Sequence, residues 1–310
     1  MPLADKRCEI IVPCGDFQVL SCILSMDVDA FYFGIRGWSR ADRNQEFSLF
    51  QVEELCERAQ EKGKRALLSF NLMPSPMEAE QAWRVVREAI LRGVKEVICS
   101  DPFLAIRIKE NYPQVDIHAS LGAVVLSSEE AHFWADLGAS RVVLSPHLSS
   151  QEIEEITLSL ASRSVETEVM IFGVRCHATM LGLCRMSSYF DMNLENSGLR
   201  TVIWSGSSKR SGVCYRTCSQ EWLDHKGREW EWAPEFYWDL WKLPALLQAG
   251  VRALKIGGRG MGWKKMRALV KAIREKIREE ESYVWAFYPR AYSGCVRKGG
   301  SLSLSCPLSG

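Results

Sequence analysis

The sequence predicts an α/β fold: a (β/α)8 barrel of the TIM type, with a cysteine-bearing insertion between its seventh and eighth strands. Three observations predict it. Short apolar runs alternate with amphipathic helical stretches along most of the 310 residues, and strands that alternate with helices build parallel sheets with helical crossovers. Eight such units can be counted along the chain, the number that closes a barrel. The segment between Gly173 and Val251 is far longer than one crossover requires, so it carries an insertion at the barrel mouth.

The units run in order. "EIIVPCG" is a strand and "FQVLSCILSM" its helix; "AFYFGI" is followed by "SLFQVEELCERAQEKG", a helix that stops at Gly63. "RALLSFNLMP" precedes "PMEAEQAWRVVREAILRG", which stops at Gly93. Glycine just past the last helical turn is the common stop signal. "EVICSD" leads to "PFLAIRIKENY", and "DIHAS" to "SSEEAHFWADLG", with Ser127 or Ser128 as N-cap. "RVVLSP" leads to "SSQEIEEITLSLA". "EVMIFG" is the seventh strand, with "PEFYWDLWKLPALLQAG" as its crossover helix. "RALKIGG" is the eighth, followed by "GWKKMRALVKAIREKIREE". Residues 1–281 are assigned to the barrel, including the insertion at 174–232; residues 282–310, which become Gly/Ser-rich, are assigned to a tail.

Hydrophobic residues make up 47% and charged residues 25%, the balance of a globular protein with a sizeable core. A net charge of +1 supplies no global field for nucleic acid or an anionic membrane. "MPLADKRCEIIVPCG" places charges where a signal peptide needs an apolar region, and no apolar run is long enough to span a bilayer. A cytoplasmic protein is expected. Its eleven cysteines then argue for thiols in a reducing compartment. Cys8, Cys14, Cys22, Cys56 and Cys99 lie in or beside apolar runs, where a free thiol packs as a small hydrophobe.

Four cysteines are different. Cys176 and Cys184 are spaced C-x7-C, and Cys214 and Cys218 C-x3-C, all within the insertion. Four thiolates suit zinc or an iron–sulfur cluster. Zinc knuckles favour shorter spacings than x7, and a [4Fe–4S] cube accepts more varied ones; spacing alone leaves packed thiols, zinc and cluster all open. Polar residues stand where strands end: Arg36, Asn71, Asp101, His118, His147, Arg175 and Arg259. In a barrel these would surround one cavity. Arg259 lies in "GGRGMGW", a glycine-rich turn at a helix start that favours anions. Each of these residues, taken alone, also fits an ordinary structural role. The aromatic run "EWLDHKGREWEWAPEFYWDLW" suits packing of the insertion onto the barrel. Lys264, Lys265, Arg267, Lys271, Arg274, Lys276 and Arg278 follow helical spacing and are expected on a solvated helix face.

The stretch "EVMIFGVRCHATMLGLCRMS" resembles the signature of the peptidase U32 family, E-x-F-x-x-G-[SA]-[LIVM]-C-x4-G-x-C-x-[LIVM]-S. Glu168, Gly173, Cys176, Gly182, Cys184, Met186 and Ser187 fall on it. "VPCGDFQVL", "VDAFYFG", the block from Ile117 to Ile156 and "LLQAGVRALKIGGRG" resemble further family segments. There are departures: one extra residue between the first two cysteines, Met170 for Phe, Arg175 for an aliphatic residue, Pro146-His147 for Arg-Glu and Gly257 for Glu. The resemblance implies an oxygen-independent hydroxylase with a [4Fe–4S] cluster on Cys176, Cys184, Cys214 and Cys218, with prephenate as hydroxyl donor and an aromatic or quinone-precursor acceptor. His118, Arg175 and Arg259 are then the candidate catalytic residues, the two arginines as a clamp on the donor's carboxylates. The resemblance also implies a small-molecule substrate and a possible heterodimer with another family member, in which this chain would act or serve as a non-catalytic partner. Other members are known as collagenase-like peptidases or as tRNA and rRNA base hydroxylases. No Ser-His-Asp order or H-E-x-x-H helix supports a peptidase, and the near-neutral charge and short C-terminal segment make RNA the weaker expectation.

Overall fold

The computed structural model describes residues 7–39, 45–74, 76, 78–175, 179–180, 183–184, 221–223, 225–231 and 235–287, with the backbone alone at 174–175, 179–180, 183–184, 221–223, 230–231, 235–236 and 281–287. Seven strands come first: β1 (Glu9–Pro13), β2 (Ala30–Phe33), β3 (Arg65–Phe70), β4 (Glu96–Cys99), β5 (Asp116–Ala119), β6 (Ala139–Leu144) and β7 (Glu166–Arg175). The described parts of the insertion are short antiparallel pairs, β8 (Thr179–Met180) with β9 (Leu183–Cys184) and β10 (Glu221–Leu223) with β11 (Glu229–Glu231). Then come β12 (Glu235–Trp238) and β13 (Ala253–Ile256). β13 lies between β7 and β1, and β6 pairs with β7, so β1–β7 and β13 form a closed barrel of eight parallel strands.

The helices form where the sequence places their caps. Asp16 caps α1 (Phe17–Ile23) by accepting from Val19 N, and Asp101 caps α4 (Pro102–Asn111) by accepting from Leu104 N. Ser127 and Ser149 start α5 (Ser128–Asp136) and α6 (Ser150–Ala161) with capping boxes to Glu130 and Glu152, each satisfying two backbone donors. α2 (Val52–Glu61) and α3 (Ala79–Leu91) bury Leu55 and Val86 against the sheet and expose their charged faces. The apolar stripes of the helices and the outward faces of the strands form one large core, while Ile11, Ala30, Tyr32, Leu67, Ile98 and Ala253 form a second, smaller cluster inside the barrel.

Three sequence expectations are corrected. The crossover run 234–250 is not all helix: β12 adds antiparallel to the upper half of β7, with Trp238 edge-on to Phe172, and only α7 (Leu243–Gln248) is α-helical. The aromatic weight at "EFYW" favours a strand when a partner edge stands ready. The last helix, α8 (Trp263–Phe287), runs past the boundary drawn at 281. Its basic residues are not all solvated either. Lys271 and Arg278 are exposed, but Arg274 is buried and binds the Cys8 and Asp27 carbonyls and the Asp29 carboxylate. Among the described residues no helix is long and apolar enough to cross a membrane.

Candidate functional site

Strand alternation decides what enters the barrel. In β7 it turns Glu166, Glu168 and Met170 to one face, in β3 Arg65, Leu67 and Ser69, in β4 Glu96 and Ile98, and in β13 Ala253 and Lys255. Barrels of this type commonly fill their interior with aliphatic layers. Here the apolar cluster of six is joined by charge.

At the N-terminal end the charges form a plug. Arg65 binds Glu9 at 2.5 Å and reaches Glu96 at 3.4 Å. Arg141 binds Glu9 at 2.9 Å and also Glu166. Arg252 stands 3.5 Å from Glu166. Burial works against the Arg141 cation, but Glu168, Glu9 and Glu166 hold its pKa above the ordinary value. Such a network sits at the face that barrels use for stability.

Further up the axis lies a second group. Glu168, fully buried, accepts from Lys255 Nζ at 2.6 Å and lies 3.8 Å from His118 Nδ1 and 3.7 Å from Arg141 Nη1. His118 Nε2 is 3.3 Å from Glu96 Oε2. Burial pushes the Glu168 carboxyl up, and Lys255, His118 and Arg141 outweigh it, leaving it below the usual carboxylate range. Glu96 is depressed in the same way, burial being outweighed by the hydrogen bond and charge of His118 and by Arg65 and Arg141. Lys255 Nζ lies 4.7 Å from the centre of the Tyr32 ring, whose hydroxyl donates to Ile256 O and is pushed up to about 12 by burial. Cation, carboxylate, imidazole and phenol thus share one buried space, where electrostatic contacts are stronger than in bulk water.

The two depressed carboxyls set an acid limit. A carboxyl whose folded pKa is below its unfolded value stabilises the fold above the unfolded value, and that contribution is lost as pH falls through the folded one. For Glu96 and Glu168 the loss therefore starts near their ordinary value of 4.5 and continues below it. Urea midpoints measured from pH 7 to pH 3 are expected to fall below about pH 4.5, and less steeply in Glu168→Gln. A midpoint that does not fall in acid would contradict the network.

At the C-terminal rim, Arg259 is buried. Its Nη1 donates to Ser39 Oγ at 2.6 Å, Ser39 donates to Glu46, and Gly37 N donates to Glu46 Oε2 at 2.8 Å. The guanidinium also lies 5.9 Å from the Tyr32 ring centre, a second cation on that ring besides Lys255. Burial lowers the Arg259 pKa against the pull of Tyr32 and Glu46, and burial raises that of Glu46. Gly34 makes this approach possible, because a Cβ there would lie 2.2 Å from both Arg259 Nη1 and Ser39 Oγ. Two of the departures from the family pattern touch one another: a Cβ on Gly257 would stand 2.7 Å from Met170 Cε.

The polar residues expected around one cavity do not all converge. His118 and Arg259 are buried at the barrel. Asp101 is committed to its helix cap, and Arg36 and His147 are exposed. Cys176, Cys214 and Cys218 lie outside the described residues, as do the side chains of Arg175 and Cys184; the backbone of Cys184 pairs with Thr179 in the hairpin that follows β7. Cys8, Cys14 and Cys99 are buried free thiols, as expected, and burial pushes Cys8 and Cys99 up to about 12. Sequence reasoning missed Glu168 as a site residue, and with it Lys255, Tyr32, Glu96 and Arg141. The available signal was a charged residue set among the apolar residues of a strand, as at Glu96, Arg141, Glu168 and Lys255.

Comparison with known proteins adds family membership. The model of peptidase family U32 matches residues 15–287. The chain belongs to peptidase family U32. The U32 match takes in all of the barrel strands except β1. Among curated relatives, tRNA hydroxylation protein P of Escherichia coli (strain K12) is 27% identical over 221 residues, covering 71% of this chain and 45% of the relative. The 23S rRNA 5-hydroxycytidine C2501 synthase of the same organism is 26% identical over 266 residues, covering 84% of this chain and 37% of the relative. The chain thus spans less than half the length of either. The solved U32 peptidase Mk0906 superposes with a TM-score of 0.54 at 14% identity, covering 84% of this chain and 96% of that one, which supports the shared barrel fold. Glu168, the first residue of the U32 signature stretch, is the carboxylate at the centre of the barrel.

Proposed function

We propose that this chain is an oxygen-independent hydroxylase that binds a [4Fe–4S] cluster through Cys176, Cys184, Cys214 and Cys218 and takes a hydroxyl from a prephenate-like dicarboxylate. The observation that carries the reading is the continuity of one sequence stretch: Glu168 stands inside the barrel, and the same strand ends at Arg175, next in sequence to Cys176, at the C-terminal end of the barrel, the end where barrel chemistry sits. Four thiolates are a fitting donor set for such a cluster. The cluster supplies redox and Lewis-acid chemistry when bound.

The chain's own residues supply the rest. Arg259, fixed by Ser39, presents a buried cation at the rim, and Arg175 is the last residue of the adjacent strand β7. A fork of this kind suits carboxylates. Lys255, held by Glu168 and lying on the Tyr32 ring, places a further cation deeper in the barrel. His118 backs Glu168 and Glu96. The Arg259→Ala protein is expected to keep its fold and any bound iron and to lose tenfold to a hundredfold in donor affinity, since one charge-assisted contact to a buried carboxylate contributes about 1.5–3 kcal/mol. Calorimetry with prephenate measures it; equal binding by wild type and variant would remove Arg259 from the clamp.

The acceptor is an aromatic ring. The names of the relatives favour a base in RNA, against the quinone precursor that the sequence resemblance first implied. Anaerobically purified protein, given prephenate and either bulk tRNA and rRNA or a quinone-precursor phenol, should add one oxygen to one class, seen by mass spectrometry of digested nucleosides or of the phenol. No gain in either, with prephenate bound, would refute the reaction. A peptidase reading is not favoured by the buried histidine: among the described residues the side chains paired with His118 are Glu96 and Glu168, not a hydroxyl or thiol nucleophile. A cytoplasmic location and a heterodimer with a second U32 chain are part of the proposal, the latter tested by co-purification.

A further inference from the structure

Three side-chain atoms at the centre of the barrel are fully buried and have no hydrogen-bond partner among the described residues: His118 Nδ1, Glu168 Oε2 and Arg141 Nη1. They are neighbours. Glu168 Oε2 lies 3.8 Å from His118 Nδ1 and 3.7 Å from Arg141 Nη1, too far for a direct hydrogen bond in either case. Each side chain is anchored elsewhere. His118 Nε2 faces Glu96 at 3.3 Å, Glu168 Oε1 accepts from Lys255 at 2.6 Å, and Arg141 Nη2 binds Glu9 at 2.9 Å as well as Glu166. None of the three atoms gains a partner by rotation unless one of those contacts is given up.

Their chemistry is complementary to a single small molecule. His118 Nδ1 accepts while the ring proton sits on Nε2, toward Glu96, and donates once both nitrogens carry protons; the carboxylate oxygen is an acceptor and the guanidinium nitrogen a donor. Water has two donors and two acceptor sites and so meets either state, and buried waters typically make about three such bonds to groups that lack other partners. Two atoms 3.8 Å apart admit one oxygen about 2.8 Å from both, at an angle of about 85°. A metal cation there would face Arg141, and an anion would face Glu168, so a neutral ligand fits both neighbours.

We propose that one water molecule is held on the barrel axis by His118 Nδ1, Glu168 Oε2 and Arg141 Nη1. It completes a hydrogen-bonded path from Glu96 through His118, the water and Glu168 to Lys255. His118 is then a positioning residue, which reaches the Lys255 ammonium through this water and Glu168. That role is independent of which acceptor the enzyme uses.

A crystal structure of the full chain, at a resolution that shows ordered waters, tests the site. One density peak within about 3.2 Å of all three atoms is expected. A direct Glu168–Arg141 or Glu168–His118 hydrogen bond, or a centre with no density, would overturn the proposal. In solution, magnetisation transfer from water to the His118 ring proton, assigned by its loss in His118→Phe, is expected and its absence would count equally against the site. The positioning role is read from the Lys255 Nζ nitrogen resonance, assigned with Lys255→Arg. It should shift in His118→Leu and stay close to wild type in His118→Gln, which keeps an acceptor. An unshifted resonance in folded His118→Leu would overturn the role, and if that variant fails to fold, a resonance displaced in His118→Gln as well would do so.

Discussion

Glu168→Gln is expected to cost the fold about 3–5 kcal/mol, the loss that follows when one partner of a buried ion cluster is removed. The substitution keeps the size of the side chain and a hydrogen-bond acceptor for Lys255. It removes the charge that faces Lys255, Arg141 and His118 in a space with no access to solvent. Domains of this kind are stable by about 5–15 kcal/mol in total, so the urea midpoint should drop sharply while the slope, which follows exposed surface, stays the same. The control is Glu54→Gln, at an exposed pair with Arg58 one helical turn away, where about 0.5 kcal/mol or less is expected. If the two variants behave alike, the barrel charges are not coupled as the geometry has them.

The other large effect concerns iron. Anaerobically purified wild-type protein should be brown with about four irons per chain, and Cys176→Ala or Cys184→Ala should lose most of both colour and iron. A four-thiolate site that loses one ligand exposes one iron of the cube to solvent and to exchange. Cys99→Ala serves as control: Cys99 is buried on β4, its thiol is pushed up to about 12 by burial, and it donates to the Asp101 carbonyl within the apolar core. That variant should keep its iron and lose only the stability of a small cavity. Iron counts, sulfide counts and the visible spectrum decide it. A colourless, zinc-bearing or metal-free wild type, or unchanged Cys176 and Cys184 variants, would end the cluster proposal and leave the barrel charges to be explained without it.

Much of the fold was legible in the chain. Alternating apolar runs and amphipathic stretches placed all eight barrel strands, and Ser127 and Ser149 began their helices where a hydroxyl followed three residues later by glutamate would. The misreadings were local. "EFYW" lies beside helical residues, and only the free upper edge of the long strand β7 made it a strand. Arg274 carries the spacing of a solvated face, yet Cys8, just before β1, presents its carbonyl to it and the loop before β2 presents the Asp27 carbonyl and the Asp29 carboxylate, so charge was no guide to exposure.

The candidate site divides along the same line. The sequence by itself determined which residues share a face of each strand, because a strand alternates its side chains with a period of two, and left unmarked the inward face that carries Glu166, Glu168, Arg65, Glu96, His118, Arg141 and Lys255. It also determined the four-cysteine pattern and the family signature. Only the tertiary structure decided which of these inward residues meet. Glu168 and Lys255 are far apart in the chain, and His118 is separated from both by at least one complete βα unit. Their distances depend on where the barrel closes, at β6 on β7 and β13 on β1, and on the register of each pair. Register is set by the packing of all eight strands at once, and no local stretch contains that information.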